Sequence, residues 1–365
     1  MPPIRILQVT SVLNYGGIET MIMNVFRNVN RDNIVFDFLV IREDKGVFEN
    51  EILKLGGRIY KIPSMKKVGY FKFIDNLLDF FKSHTEYGII HSHVNTFNGP
   101  ILKCAKKCGV KTRISHSHTA YPKYPLIEKA IKGYFKSMIK NSATHFFSCS
   151  EIASQWLYGK NFKNNKVIIN GIKTHDFLFS NAKREELRKK LNIEDKLVLL
   201  NISRFYREKN HFFLLKILKE IVKTNKNAML VCIGNGVLRN SFINQALKME
   251  LSENVIVLDS TRNVQDYYNM ADVYVSPSLF EGFGVSVAEA QFNSLPCIIS
   301  NSFPKEINVF DNCKFISLKE HPTIWAEAIL SSKRNNLFMN NQLNLSVYDV
   351  SYTADYLTDF YLNSL

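Results

Sequence analysis

"KLVLLNISRFYREKNHFFLLKILKEIVKTNKNAMLVCIG", residues 196–234, holds one complete structural unit of this chain. Its two apolar runs, 196–203 and 228–234, are short and continuous rather than alternating, which predicts strands covered on both faces. Between them Leu214, Ile217, Leu218, Ile221 and Val222 recur at helical spacing on one face. Strand, amphipathic helix and strand in that order predict a crossover in a parallel sheet.

The same alternation extends in both directions. Upstream, strand-like runs fall at 4–11, 36–41, 58–63, 88–93, 112–118, 145–150 and 166–170; downstream they fall at 254–259, 272–278, 296–300 and 313–317. The pattern stops once, in "IKTHDFLFSNAKREELRKKLNIED" (172–195), where a charged segment precedes the next strand. The fold class is therefore α/β, with two doubly wound domains, 1–175 and 176–345, and 346–365 as a C-terminal helix crossing back to the first domain. A chain of 365 residues, 46% hydrophobic, is long enough for two cores. Ligands of open parallel sheets bind outside the carboxyl ends of the strands, so two such domains are expected to face each other across a central cleft.

Composition narrows the function. No run approaches the roughly 18 to 20 apolar residues of a membrane span, and "MPPIRILQVTS" lacks the apolar run of a signal peptide; a cytoplasmic protein is expected. The six cysteines are scattered and lack the C-x2-C spacing of zinc sites, so they read as free thiols or small buried hydrophobes. The net charge of +14 is uneven: residues 1–180 carry 26 Lys and Arg against 13 Asp and Glu, the remainder 21 against 20. A basic half faces something anionic. With no zinc finger, RNA-recognition signature or basic block, a membrane surface is the expected partner and nucleic acid is not.

The unusual residues cluster where strands end. "NYGGIE" (14–19) follows the first strand, His91 and His93 end the fourth, His116 and His118 end the fifth, "SRFYREKN" (203–210) and "GNG" (234–236) follow two strands of the second half, and "SLFEGFGVSVAEA" (278–290) sets Glu281 and Glu289 eight positions apart around a glycine turn. Paired glutamates are usually a solvated helix face, a lone Gly-Gly is usually a turn, and "GNG" reads equally as a turn or a ligand loop. For His91 and His93 the default is a satisfied place in the core.

Taken in order, these stretches resemble the retaining glycosyltransferases of family 4, which have the GT-B fold of two facing Rossmann-like domains. The resemblance rests on "EGFGVSVAE" preceded by "ADVYVSPSLF", with "YGGIE", "FFSCSE", "VIINGI" (167–172), "SRFYREKN" and "IGNG". It spans about the whole chain and is nearest to enzymes that build capsular or exopolysaccharide repeat units. Three positions depart from the pattern: Ser203 stands for a glycine, Gly88 for an aspartate, and Asp259-Ser260 for a leucine-glycine turn.

The resemblance implies a sugar-nucleotide donor, with a UDP-sugar favoured, and a glycan or lipid-linked acceptor. A leaving diphosphate needs positive charge and backbone donors aimed at it, which Arg204 and Lys209 can supply. Gly16 and Gly17, and the turn Gly282, Phe283, Gly284 and Val285, allow close approach of main-chain N–H groups to the phosphates. By resemblance Glu289 accepts from the ribose hydroxyls and Glu281 lies near the transferred sugar. His116 and His118 are both candidates for a histidine beside that sugar, His118 preferred as nearer the strand end. No metal or other cofactor is expected, since no D-x-D motif occurs in a suitable loop. Two alternatives stay open: a non-hydrolysing UDP-sugar epimerase, and a catalytically silent partner subunit.

One further stretch concerns the membrane. In "YPLIEKAIKGYFKSMIKNSA" (124–143) Lys129, Lys132, Lys136 and Lys140 form a helical stripe beside a second one of Ile127, Ile131, Tyr134, Phe135 and Met138. The apolar stripe is accounted for by packing on the chain's own domain; the cationic one is expected to hold a peripheral enzyme against anionic lipid at the inner face of the cell membrane.

Overall fold

The structure is a computed structural model that describes residues 2–120, 125–261, 263–334 and 345–364; Tyr124, the first residue of the lysine-bearing stretch, lies outside them. The chain divides into two compact units, Met1–Ile172 with Ser346–Leu365, and Lys173–Leu345. Each is built on its own parallel sheet.

In the first unit β1 (Ile4–Thr10), β2 (Ile34–Val40), β3 (Ile59–Lys61), β4 (Ile89–Ser92), β5 (Thr112–Ser117), β6 (His145–Ser148) and β7 (Asn165–Val167) form a sheet in the order β3-β2-β1-β4-β5-β6-β7. In the second, β8 (Leu197–Ile202), β9 (Ala228–Ile233), β10 (Val255–Leu258), β11 (Val273–Ser276), β12 (Cys297–Ser300) and β13 (Cys313–Ile316) follow the order β10-β9-β8-β11-β12-β13. Both are Rossmann-like α/β sheets with every strand pair parallel. The continuous apolar runs are the reason: all seven residues of β2 and all six of β9 are buried, which requires helices on both faces.

Strand order reverses between β1 and β4 in one sheet and between β8 and β11 in the other. At such a reversal the crossover helices leave in opposite directions and open a crevice beyond the strand ends. The helix His211–Thr224 covers the second sheet with Leu214, Leu215, Ile217, Leu218 and Ile221, leaving Val222 only partly buried. The helix Val350–Leu362 returns to the first unit and inserts Val350, Ala354, Leu357 and Tyr361 into the core beside Met21, Ile22 and Phe36. All six cysteines are free, four of them buried.

Each sheet is also pinned by a carboxylate, one midway along β2 and one just before β11. Asp37 on β2 is fully buried and accepts from Arg5 Nη2 at 2.5 Å and Nε at 2.6 Å, from the Arg58 N–H at 2.6 Å and from the Tyr87 hydroxyl at 2.7 Å. Asp272, just before β11, receives Arg184 at 2.5 Å, Arg188 at 2.6 Å and the Val198 N–H at 2.8 Å. A buried charge is tolerable when every lone pair is satisfied, and costly when one partner is removed. Asp37→Ala strands Arg5 and Tyr87 and is expected to cost about 3 to 5 kcal/mol, read as a lower urea midpoint with an unchanged slope.

Candidate functional site

The carboxyl ends of β8 and β11 carry two loops that are stitched together. After β8 the chain runs through Arg204 into a single 3-10 turn, Arg207–Lys209, and Asn210 takes a left-handed conformation that starts the next helix. Asn residues adopt that conformation readily. Asn210 Nδ2 donates to the Pro277 carbonyl at 3.1 Å and the Leu279 N–H donates to Glu208 O at 2.7 Å, tying this loop to the one after β11. Lys209 Nζ thereby reaches Glu281 Oε1 at 2.5 Å, and the Ser278 hydroxyl donates to the same oxygen at 2.8 Å.

Arg204, by contrast, is exposed, its guanidinium 5.3 Å from the Tyr206 ring centroid. It lies on the same loop as Lys209 but touches neither glutamate in the hydrogen-bond network. The "GNG" segment turns the chain against that loop: at Gly234, with φ of +152°, a Cβ would lie 2.2 Å from Ser203 O. Ser203 itself bonds through its hydroxyl to Asn201 Oδ1 at 2.7 Å and to His211 Nε2 at 3.0 Å. His211 stacks on Phe205 with centroids 4.1 Å apart, and burial pushes its pKa down to about 3. Sequence reasoning passed over His211, which only its place directly after "REKN" could have flagged.

Glu281 and Glu289 flank a turn whose last residue is forced. Gly284 has φ of +101°, and a Cβ there would come 2.5 Å from the Phe303 ring, so only glycine can open the helix Val285–Phe292 at this point. Glu289 sits one turn into that helix and accepts from the Tyr268 hydroxyl at 2.6 Å. Burial pushes its pKa up to about 7, against the lowering effect of the Tyr268 hydrogen bond. Tyr268 is fully buried and comes from the helix Val264–Met270, 21 positions away; no sequence pattern points to it.

In the first unit Gly16 caps the helix Gly17–Asn28 in an extended conformation, and no protein atom lies within 4 Å of where a Gly17 Cβ would stand. Beside it, at the ends of β4 and β5, all four histidines are buried and bonded to one another. His91 Nε2 lies 3.0 Å from His116 Nδ1, and His93 Nδ1 lies 2.8 Å from His118 Nε2. His91 Nδ1 is 2.6 Å from the Tyr361 hydroxyl and His93 Nε2 is 2.8 Å from Gln8 Oε1. Burial holds all four pKa values far below the usual value, that of His118 at about 3. Among the described residues His91, His93 and His116 are the one group near enough to share an ion, with ligand atoms within 4.8 Å of one another, but five of those six nitrogens already pair with each other or with His118, Tyr361 and Gln8.

The lysine stripe is not one surface. On the helix Leu126–Ser142, Lys129 and Lys140 are exposed, but Lys132 pairs with Glu128 at 2.9 Å. Lys136 is corrected outright: its ammonium donates to Trp156 O at 2.5 Å and sits 3.8 Å from the Trp156 ring centroid, and burial lowers its pKa to about 8. The apolar stripe also divides. Phe135 and Met138 are buried, whereas Leu126, Ile127, Ile131 and Tyr134 are 84%, 79%, 44% and 58% exposed. No helix among the described residues is long and apolar enough to cross a membrane.

Comparison with known proteins bears on all of this. Residues 183–344 match the family model "Glycosyl transferases group 1". The chain is 32% identical over 332 residues to the putative glycosyltransferase EpsF of Bacillus subtilis, covering 89% of this chain and 86% of that protein. It is 26% identical over 375 residues to the capsular polysaccharide biosynthesis glycosyltransferase CapH of Staphylococcus aureus, covering 99% of both. Among solved structures, HepE of Anabaena in complex with UDP-glucose matches with a TM-score of 0.79 over 99% of this chain and 100% of that one, at 16% identity. The near full-length relative at 32% identity, the family match over the second unit and the two Rossmann-like sheets place the chain among the group 1 glycosyltransferases of GT-B fold.

Proposed function

We propose that the chain moves a hexosyl or N-acetylhexosaminyl group, with retention of configuration, from a UDP-sugar to a glycan or lipid-linked acceptor in surface polysaccharide biosynthesis. The observation that carries the reading is the joined pair of loops at the β8 and β11 ends, which sets Lys209 on Glu281 just before the short helix that carries Glu289. CapH, named for capsular polysaccharide biosynthesis, supports the class of product, and HepE, a neighbour in fold, holds a UDP-sugar of the proposed donor class.

In this reading Glu289 accepts from the ribose hydroxyls, and the N-terminus of its helix, with Gly282, Phe283, Gly284 and Val285, presents N–H groups to the diphosphate. Gly16 and Gly17 offer a second such approach. As the bond from the anomeric carbon to the phosphate oxygen breaks, its electron pair stays on the diphosphate, and Arg204 and Lys209 stabilise that charge. The acceptor oxygen forms the new bond to the anomeric carbon and passes its proton to an oxygen of the departing diphosphate. Glu281, which fixes the Lys209 ammonium, is the acceptor for sugar hydroxyls, and His118 and His116 are the candidates for a histidine contact to the transferred sugar. These groups supply the charge the leaving diphosphate needs, so the reaction is proposed to need no metal.

UDP and its sugars are expected to raise the melting temperature and GDP-sugars not to, since a ligand at 100 times its Kd adds about 2.7 kcal/mol. Transfer is expected to need acceptor and to persist in EDTA; conversion of donor alone into another UDP-sugar would replace this reading by the epimerase. Arg204→Ala and Lys209→Ala should each cut kcat on the order of a hundredfold with a smaller change in donor affinity.

Glu289 gives a pH test. With its pKa raised from 4.5 to about 7, the folded protein holds a proton there that the unfolded chain has lost, so the associated stability is present at low pH and lost as pH rises through about 7. A protonated carboxyl also accepts poorly from ribose hydroxyls. UDP-sugar affinity should therefore rise about tenfold from pH 6 to 8, and Glu289→Gln should bind weakly with no such slope in calorimetry. A wild-type affinity independent of pH would remove Glu289 from the ribose.

The reading includes an anionic bilayer as partner, carried by the exposed end of the helix Leu126–Ser142. An exposed apolar patch beside Lys129, with Lys140 further along the helix, is the composition of an interfacial helix, apolar side chains entering the acyl boundary and cations meeting headgroups. Leu126→Ser with Ile127→Ser should reduce co-sedimentation with anionic vesicles by more than tenfold, Lys129→Glu with Lys140→Glu should remove its salt dependence, and Lys136→Glu should instead lower stability. Equal binding by the parent and the serine variant would exclude this face.

A further inference from the structure

The four histidines, Gln8 and Tyr361 form one unbranched chain of hydrogen bonds: His118, His93, Gln8, Tyr361, His91, His116. Its links are His118 Nε2 to His93 Nδ1 at 2.8 Å, His93 Nε2 to Gln8 Oε1 at 2.8 Å, Gln8 Nε2 to the Tyr361 oxygen at 3.3 Å, Tyr361 to His91 Nδ1 at 2.6 Å, and His91 Nε2 to His116 Nδ1 at 3.0 Å. All six residues are buried. The two nitrogens left over at the ends, His118 Nδ1 and His116 Nε2, are buried without a partner.

Each neutral imidazole has one donor and one acceptor nitrogen, a carboxamide oxygen only accepts and its nitrogen only donates. Gln8 Oε1 must therefore receive a proton from His93 Nε2, which makes His93 Nδ1 an acceptor and puts the proton of His118 on Nε2. In the other direction Gln8 donates to the Tyr361 oxygen, so Tyr361 donates to His91 Nδ1, and His91 Nε2–H donates to His116 Nδ1. All four rings carry their proton on Nε2. Turning the Gln8 amide over would reverse every link and move all four protons to Nδ1. Burial keeps the imidazoles neutral at ordinary pH, so the choice is between these two states.

We propose that this chain fixes the tautomer of His118, leaving Nδ1 as a hydrogen-bond acceptor for a hydroxyl of the transferred sugar, and that Gln8 and Tyr361 are its positioning residues. The sugar contact rests on the function proposed above; the tautomer linkage does not. Tyr361 is supplied by the C-terminal helix Val350–Leu362, so the segment that crosses back into the first unit also sets the hydrogen-bond polarity of a ring it does not touch.

The test is histidine-selective 15N NMR of the full chain, which reads the tautomer of each ring, alongside kinetics. In the wild type all four are expected as Nε2–H. Tyr361→Phe keeps the ring in the core but removes the acceptor of Gln8 Nε2, so the amide turns freely and His118, two links beyond Gln8, should show both tautomers. Gln8→Met, of similar volume, should do the same by a different cut. Both variants are expected to lose threefold to tenfold in kcat with donor KM within twofold and the melting transition still cooperative. Mixed protonation in the wild type, such as Nδ1–H on His93 with Nε2–H on His91, would overturn the chain, as would a His118 signal unmoved in both variants. A His118 that changes tautomer while kcat holds would overturn its contact with the sugar and leave the linkage standing.

Discussion

Parallel strands joined by helices must all run the same way, and every strand therefore delivers its carboxyl end to one edge of its sheet. This constraint sorts the molecule. Away from that edge stand Asp37, midway along β2 and held by Arg5 and a backbone N–H, and Asp272, just before β11 and held by two arginines and a backbone N–H. At the carboxyl-terminal edges stand the glycine turns, Lys209, Glu281, Glu289 and the four histidines. Where strand order reverses, at β1/β4 and β8/β11, the edge opens, and the ends of those strands, with those of β5 and β9 beside them, hold the unusual residues.

The two sets of carboxylates differ in how well they are satisfied. Asp37 accepts four hydrogen bonds and has no capacity left for a ligand. Glu289 accepts one from Tyr268, and its partial desolvation shows in a pKa pushed up to about 7. A carboxylate that is dried but undersupplied with donors gains most when hydroxyl groups arrive. Hydrogen-bond count alone thus separates the saturated Asp37 from the undersupplied Glu289.

The fold was legible because each sheet is covered on both faces, so its strands are apolar throughout: 196–203 and 228–234 are β8 and β9 to within two residues at either end. Glu281, Lys209 and Gly284 were legible because turn chemistry and charge sit at strand ends, where position itself carries information. Tyr268 was not, since it reaches Glu289 by tertiary packing from a helix 21 positions away rather than by a spacing rule. Lys136 misled for the same reason: helical periodicity places it beside Lys132 and Lys140, but the Trp156 ring, on a different helix, turns it inward.

His91 and His93 illustrate the limit most sharply. Read one at a time, a buried histidine is a satisfied core residue, and these two are satisfied. Yet their partners are the other two histidines, and the satisfaction of one ring dictates the donor and acceptor of the next. Removing one member leaves a buried donor or acceptor unpaired, which costs about 1 to 3 kcal/mol. The same hydrogen bonds that align the chain in the core therefore couple its four rings, so that His118 and His116 at its two ends change donor and acceptor roles together.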